Sequence, residues 1–185
     1  MNILEVEGLC KTYPAFRLRD VSFAVAPGTI MGFIGRNGAG KSTTIKAMLN
    51  IVHPDSGRVT MFGQDFYANE PACKQQLGVV LGGVDFYPNK KLRSITNVTR
   101  TFYDRWDENK YRHYLQLFAL DETKKVSQLS SGMRVKYVLA LALSHDARLL
   151  ILDEPTSGQF GDGQMSLEDI LVRVERRSYD SEDFL

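Results

Sequence analysis

Gly35-Arg36-Asn37-Gly38-Ala39-Gly40-Lys41-Ser42-Thr43 is the stretch on which the fold turns. It fits the pattern G-x-x-x-x-G-K-[ST], a glycine-rich turn that opens into a helix and cradles phosphates. Glycines let the backbone take positive φ angles and bring its N–H groups against an anion with no Cβ in the way. The helix beginning near Lys41 directs unpaired N–H groups and the positive end of its dipole at the same anion. Lys41 offers a cation to the β- and γ-phosphates, and Ser42 offers a hydroxyl to Mg²⁺. Gly35, Asn37, Gly38, Ala39, Gly40, Lys41, Ser42 and Thr43 are thus candidate ligands of a nucleoside triphosphate and its magnesium ion.

The residues around this loop give it the required setting. Upstream, Thr29–Ile34 is a short apolar run that predicts a strand. Downstream, Lys41–Asn50 has helical spacing, with Ile45, Met48 and Leu49 on one side. Further toward the N-terminus, Asn2–Gly8 and Arg17–Ala26 alternate apolar with polar residues, and the second run ends at Pro27-Gly28. Asp55-Ser56-Gly57 predicts a turn before a strand over Arg58–Phe62. Short strands joined by tight turns predict an antiparallel sheet in this part of the chain.

Beyond the strand predicted over Leu77–Leu81 the pattern turns helical and more polar. Helices are expected over Ser94–Arg105 and Asn109–Leu120, the second with Tyr111, Tyr114, Leu115 and Phe118 on one face. Aromatics at that spacing are core residues, and Trp106 is read the same way. Ser131–His145 predicts a long apolar helix. Arg148–Leu152 is apolar throughout, as expected of a buried central strand in a parallel sheet.

That last strand runs Leu149-Leu150-Ile151-Leu152 into Asp153-Glu154. Successive strand residues point to opposite sides, so the two carboxylates can take separate tasks at the strand's C-terminal end, where open α/β sheets place their ligands. Asp153 is the candidate to hold Mg²⁺, directly or through water. Glu154 is the candidate to polarise the water that attacks the γ-phosphate, while Lys41 and the metal neutralise charge on the equatorial oxygens.

Composition limits the alternatives. The chain has 185 residues, 43% hydrophobic and 24% charged, with 23 basic and 22 acidic side chains and a net charge of +1. Such a balance sets up no global field to draw nucleic acid, and no nucleic-acid partner is expected. The longest apolar run, Tyr137–Leu143, falls far short of the ~20 residues that span a bilayer. Glu5 and Glu7 interrupt the apolar N-terminus, which does not read as a signal peptide. Cys10 and Cys73 have no metal-ligand spacing and read as free thiols of a reducing compartment.

Leu129-Ser130-Ser131-Gly132-Met133 stands before the long helix, where Ser130 or Ser131 is placed to cap it. A phosphate loop, a helical insertion, this pentapeptide and then an LLILDE strand together resemble the nucleotide-binding domain of ATP-binding cassette (ABC) proteins. The signature of that family usually reads LSGGQ; Ser130 and Gly132 match it, whereas Ser131 and Met133 depart. The resemblance covers about residues 3–158. It implies an α/β fold: a P-loop NTPase core with a mostly parallel sheet flanked by helices, an N-terminal antiparallel β-subdomain, and a helical subdomain over about residues 85–145. It further implies that Tyr13 stacks on adenine. It implies a dimer with a second nucleotide-binding subunit, identical or different, in which Ser130, Ser131, Gly132 and Met133 of one subunit close over ATP held by the other. The chain is most similar in character to the bacterial drug and antibiotic exporters, through Leu77–Leu81, Phe102–Trp106 and Leu139–His145. On that resemblance it is the ATPase subunit of an exporter, peripheral on the cytoplasmic face of the membrane and attached to an integral-membrane permease through the helices of 85–126.

The sequence also departs from the family pattern. Gly82 and Gly83 stand where the family has a glutamine that touches Mg²⁺. After Pro155-Thr156-Ser157-Gly158 the family continues with Leu-Asp, a helix, a strand and a switch histidine, but this chain reads Gln159-Phe160-Gly161-Asp162-Gly163. His53, His113 and His145 all precede Asp153 and cannot supply the switch. Ser166-Leu167-Glu168-Asp169 has a capping-box pattern opening an amphipathic helix. This segment resembles the C-terminus of family members, as if a block after Gly158 were missing. Residues 1–158 are therefore expected to form the ATP-binding domain, truncated after the acidic strand, and 159–185 a C-terminal helix and acidic tail. ATP binding is expected to survive such a loss and hydrolysis to be poor. The alternative readings are a soluble cassette ATPase not linked to transport and a hydrolysis-impaired regulatory module.

Overall fold

The computed structural model describes residues 1–36, 38–81 and 87–153. The chain divides into two compact units, residues 1–77 and residues 78 onward.

The first unit is built on a four-stranded antiparallel sheet in the order β2-β1-β3-β4. Its strands are β1 (Leu4–Tyr13), β2 (Phe16–Val25), β3 (Ser56–Met61) and β4 (Gln64–Asp65). β1 and β2 form a hairpin through the two-residue turn Pro14-Ala15, and the register pairs Tyr13 with Phe16, Lys11 with Leu18 and Leu4 with Val25. β1 is longer than the alternation over 2–8 predicts. It carries an irregularity between Val6 and Leu9, where Gly8 takes φ 59° and the apolar alternation breaks. Helix α1 (Lys41–Met48) packs against β1 and β2. It buries Ile45, Ala47 and Met48 with Leu49 just beyond, and Leu4, Val6, Leu9, Leu18, Val59 and Met61 of the sheet are buried as well. The sequence predicts this apolar stripe, but not the short α2 (Glu70–Lys74) or β4, which are too brief to carry a period.

Thr29–Ile34 departs from expectation: it forms no strand, and every residue from 29 to 36 is exposed, Ile34 at 99% and Ile30 at 69%. A strand exists only through its ladder of hydrogen bonds to a neighbour. The run has the composition of a buried strand, yet among the described residues no strand is paired with it.

The second unit holds a two-stranded parallel sheet of β5 (Leu77–Leu81) and β6 (Leu149–Asp153) with helices α3 (Leu92–Thr99), α4 (Glu108–Leu117) and α5 (Ser131–Leu143). α3 and α4 overlap the helices expected over 94–105 and 109–120 but begin two residues and one residue earlier, and α3 gives way to a 3₁₀ turn at Arg100–Phe102. β6 is only partly covered. Ile151 and Asp153 are buried while Leu149, Leu150 and Leu152 are intermediate, so among the described residues it is not the enclosed central strand its composition suggests. Close approach of β5 to its neighbours depends on Gly78, where a Cβ would stand 2.8 Å from Leu150 Cδ1 and 3.1 Å from the Ala142 carbonyl.

Tyr111, Phe118, Tyr137, Leu139 and Ala140 form the centre of this unit's core, with Trp106, Tyr114 and Leu115 packed at its margin, as the helical spacing predicts. A chain of hydroxyls runs through it. Thr96 Oγ1 lies 2.8 Å from both Tyr111 Oη and Tyr137 Oη, and Tyr137 donates to the Leu92 carbonyl at 2.9 Å. A hydroxyl has one proton, so the polarity is fixed: Tyr111 donates to Thr96, Thr96 to Tyr137, and Tyr137 to Leu92. Burial pushes the Tyr111 phenol up to about 12 and raises that of Tyr137 further.

Candidate functional site

The phosphate loop belongs to the first unit, and its geometry follows from its glycines. Gly38 takes φ 80° and Gly40 φ 97°, both in the region that side chains disfavour. Ala39 N–H donates to the Arg36 carbonyl at 3.1 Å, closing a turn, and Gly40 becomes the N-cap of α1. Having no side chain, Gly40 gives no capping hydrogen bond, and no acidic residue stands in the first turn of α1. The first internal bond of the helix runs from Thr44 N–H to the Gly40 carbonyl at 2.8 Å. A helix start of this kind offers backbone amides and the positive end of the helix dipole, the features that favour an anion.

Lys41 is the first residue of α1, with Ser42 and Thr43 following in its first turn. The Lys41 ammonium folds back and donates to the carbonyls of Gly35 at 2.7 Å and Arg36 at 3.1 Å. Its cation is thereby held over the mouth of the loop. Gly35, Gly38 and Ala39 are exposed, and Asn37 lies outside the described residues. The helix expected after the loop is therefore present, while the strand expected before it is not.

Tyr13 ends β1 and is 38% exposed. Lys11 Nζ stands 5.9 Å from the centre of its ring. Across the hairpin is Phe16, a residue that sequence reasoning overlooked. A Cβ on Gly40 would lie 2.8 Å from Phe16 Cζ and 3.1 Å from Leu18 Cδ1, so these two side chains close against the last glycine of the loop. The signal was available in the sequence: a two-residue turn at Pro14-Ala15 sets Phe16 opposite Tyr13, and Leu18 shares its face two residues on.

The signature pentapeptide lies in the second unit. Of the two serines considered, Ser130 is the cap: its Oγ accepts from Met133 N–H at 3.2 Å, and Ser131 begins α5. Ser131 is exposed, Gly132 buried, and Met133 packs on the core. Asp153 is the last residue of β6 and is 9% exposed. Glu154 lies outside the described residues, as do Gly82, Gly83 and the segment after Asp153 that includes Pro155–Gly158 and Ser166–Asp169. His145 is buried and stacked on Tyr103 at 3.7 Å between ring centres, and His53 lies beside Asn50 on the surface.

Among the described residues no three His, Cys, Asp or Glu side chains gather as a metal site. Magnesium bound with a triphosphate takes most of its oxygens from phosphate and water and needs only one or two from protein. The Ser42 hydroxyl and the Asp153 carboxylate are hard oxygen donors of the kind it accepts. No described helix is long and apolar enough to cross a membrane.

A family model described as "ABC transporter" matches residues 18–157. The bacitracin transport ATP-binding protein BcrA of Bacillus licheniformis is 36% identical over 160 residues, which are 85% of this chain and 52% of that protein. The Nod factor export ATP-binding protein I of Rhizobium johnstonii is 34% identical over 165 residues, 84% of this chain and 52% of the relative. The chain thus spans about half the length of the curated relatives it matches. Among solved structures, an ATP-binding subunit of an ABC transporter superposes with a TM-score of 0.77 at 27% identity, over 96% of this chain and 74% of the other.

Proposed function

Because the chain belongs to the ABC transporter ATP-binding family, we propose that it binds MgATP through Gly35–Thr43 and powers transport through a separate membrane-spanning permease. The observation that carries this reading is the uncapped start of α1, set by glycines at φ 80° and 97°, with the Lys41 ammonium held over it. Main-chain amides and Lys41 bind the phosphates, and Ser42 and Asp153 supply oxygens to Mg²⁺. A magnesium ion held by these oxygens would supply positive charge that offsets the charge of the phosphates. Glu154, next along the chain, accepts the proton of the attacking water. Tyr13 stacks on the base. Ser130, Ser131, Gly132 and Met133 close over a nucleotide held by a second subunit, identical or different, and the assembly lies at the cytoplasmic face of the membrane. The names of the relatives, which speak of bacitracin transport and Nod factor export, support an exporter.

Isothermal calorimetry with MgATP tests the binding half. Lys41→Ala is expected to weaken binding about a hundredfold or more, as loss of charge-assisted hydrogen bonds to phosphate implies. Unchanged affinity would place the nucleotide elsewhere. Steady-state phosphate release tests the other half: turnover abolished by Glu154→Gln with binding intact supports hydrolysis. Binding without any turnover in the unaltered chain makes it a regulatory nucleotide module instead.

A further inference from the structure

Phe16 stands out because the nucleotide reading assigns it no task, yet it is built into the mouth of the phosphate loop. Its ring tip occupies the space a side chain on Gly40 would need, 2.8 Å from the Cβ position, and Leu18 stands beside it at 3.1 Å. Leu18 is buried, whereas Phe16 stays half-exposed. Phe16 and Tyr13 are register partners at the end of the hairpin. Directly opposed residues of an antiparallel pair project from one face of the sheet with their Cβ atoms about 5 Å apart. That face is the one on which Phe16 meets Gly40 and α1 packs. From the helix start outward, the order is therefore Gly40, Phe16, Tyr13.

A nucleotide whose phosphates sit on the α1 amides must lead its ribose and base away from Gly40. An apolar aromatic surface beginning at that glycine offers dispersion and stacking contact to a sugar face and a purine ring. We propose that Phe16 is a second nucleoside-contacting residue, forming with Tyr13 one aromatic wall that receives the ribose and base of the bound nucleotide. This rests on the nucleotide-binding reading above and adds a residue to it. Tyr13 holds the outer part of the base. Phe16 holds the inner part while also filling the space beside Gly40.

The two tasks of Phe16 separate by ligand. Calorimetry of Mg-ATP and of Mg-tripolyphosphate, which has the phosphates without the nucleoside, is run on the unaltered chain, Phe16→Ala, Phe16→Leu and Phe16→Trp, with thermal unfolding of each. Phe16→Ala is expected to weaken ATP about tenfold and tripolyphosphate less than twofold. Phe16→Trp is expected to keep ATP affinity, with its indole fluorescence quenched by ATP and not by tripolyphosphate. Phe16→Leu keeps apolar bulk beside Gly40 and serves if the alanine variant does not fold; it too is expected to lose ATP affinity selectively. Equal losses on both ligands would overturn the proposal, leaving Phe16 as a prop for the loop, and so would no loss on either. Failure of the unaltered chain to bind either ligand would instead remove the nucleotide reading, and this inference with it.

Discussion

Replacing Gly40 by alanine combines two penalties at one atom. The backbone there takes φ 97°, ψ 6°, a conformation that costs a residue with a Cβ about 1–3 kcal/mol. The added methyl would also stand 2.8 Å from Phe16 Cζ and 3.1 Å from Leu18 Cδ1, where ordinary contact begins near 3.4 Å. Forcing an extra methyl into a filled space costs a further ~1–3 kcal/mol. The sum is about 2–6 kcal/mol, and we expect roughly 3, because the Phe16 ring is half-exposed and can swing part of the way clear. The steric part can be isolated by a double-mutant cycle. Phe16→Ala removes the nearer clash but leaves the strained φ and Leu18, so in its presence Gly40→Ala should cost ~1–2 kcal/mol less than alone. Urea unfolding of the unaltered chain, the two single variants and the double variant measures the coupling. Additive losses within ~0.5 kcal/mol would refute the contact between Phe16 and Gly40. A Gly40→Ala chain as stable as the original would refute the loop conformation itself.

Thr96→Val should destabilise the second unit by ~2–3 kcal/mol in urea unfolding, since it strands both the Tyr111 donor and the lone pair of Tyr137 that Thr96 serves. Adding Tyr111→Phe should recover part of that loss, and a double variant no better than Thr96→Val alone would contradict the assigned direction of the hydroxyl chain. Alkaline titration tests the same cluster. The Tyr111 phenol is raised from 10 to about 12 by burial, so the native state keeps a proton that the unfolded chain gives up earlier. Stability is therefore complete below pH ~10 and declines as pH rises toward ~12, with part of the phenolate absorbance appearing together with the loss of native circular dichroism. A smooth titration of every tyrosine near pH 10, with the fold intact, would be inconsistent with this burial.

The site was most legible where chemistry is local to a few residues. The glycines of the phosphate loop, Lys41 and the helix behind it could be placed from sequence because each obeys a constraint carried by the residue itself: a sign of φ, a charge, a helix start. Ser130 as the cap of α5 was legible to within one position for the same reason. Features that depend on partners were less so. Thr29–Ile34 has the composition of a strand, but pairing is a property of two segments, and the described structure leaves the run exposed. β6 likewise has a central strand's composition with only partial cover. Phe16 was passed over because alternation labels it as one more residue of a strand, and only the hairpin register and its approach to Gly40 mark it out.

The division of the chain also sorts its chemistry. Every group proposed to hold the phosphates, from Gly35 to Thr43, lies in the first unit, and so do Tyr13 and Phe16. Their placement follows from glycine conformation, one helix and one hairpin. Asp153 and the signature residues lie in the second. On the proposed reading, binding depends on short-range structure, since the amides, the lysine and the aromatic surface assigned to the ligand all lie in the first unit. Hydrolysis is more demanding, because a metal ligand and a water-activating carboxylate must be held to within about half an ångström of their productive positions around the γ-phosphate by supporting structure. The loop's own support is the weak point, as the segment feeding into it carries Ile30, Met31 and Ile34 in solvent rather than in a ladder. Loss of rigidity there would weaken the hold on MgATP, whereas displacement of Asp153 and Glu154 would lower the rate of phosphate release with affinity retained. Affinity and turnover are therefore expected to vary independently in this chain, and measuring one will not predict the other.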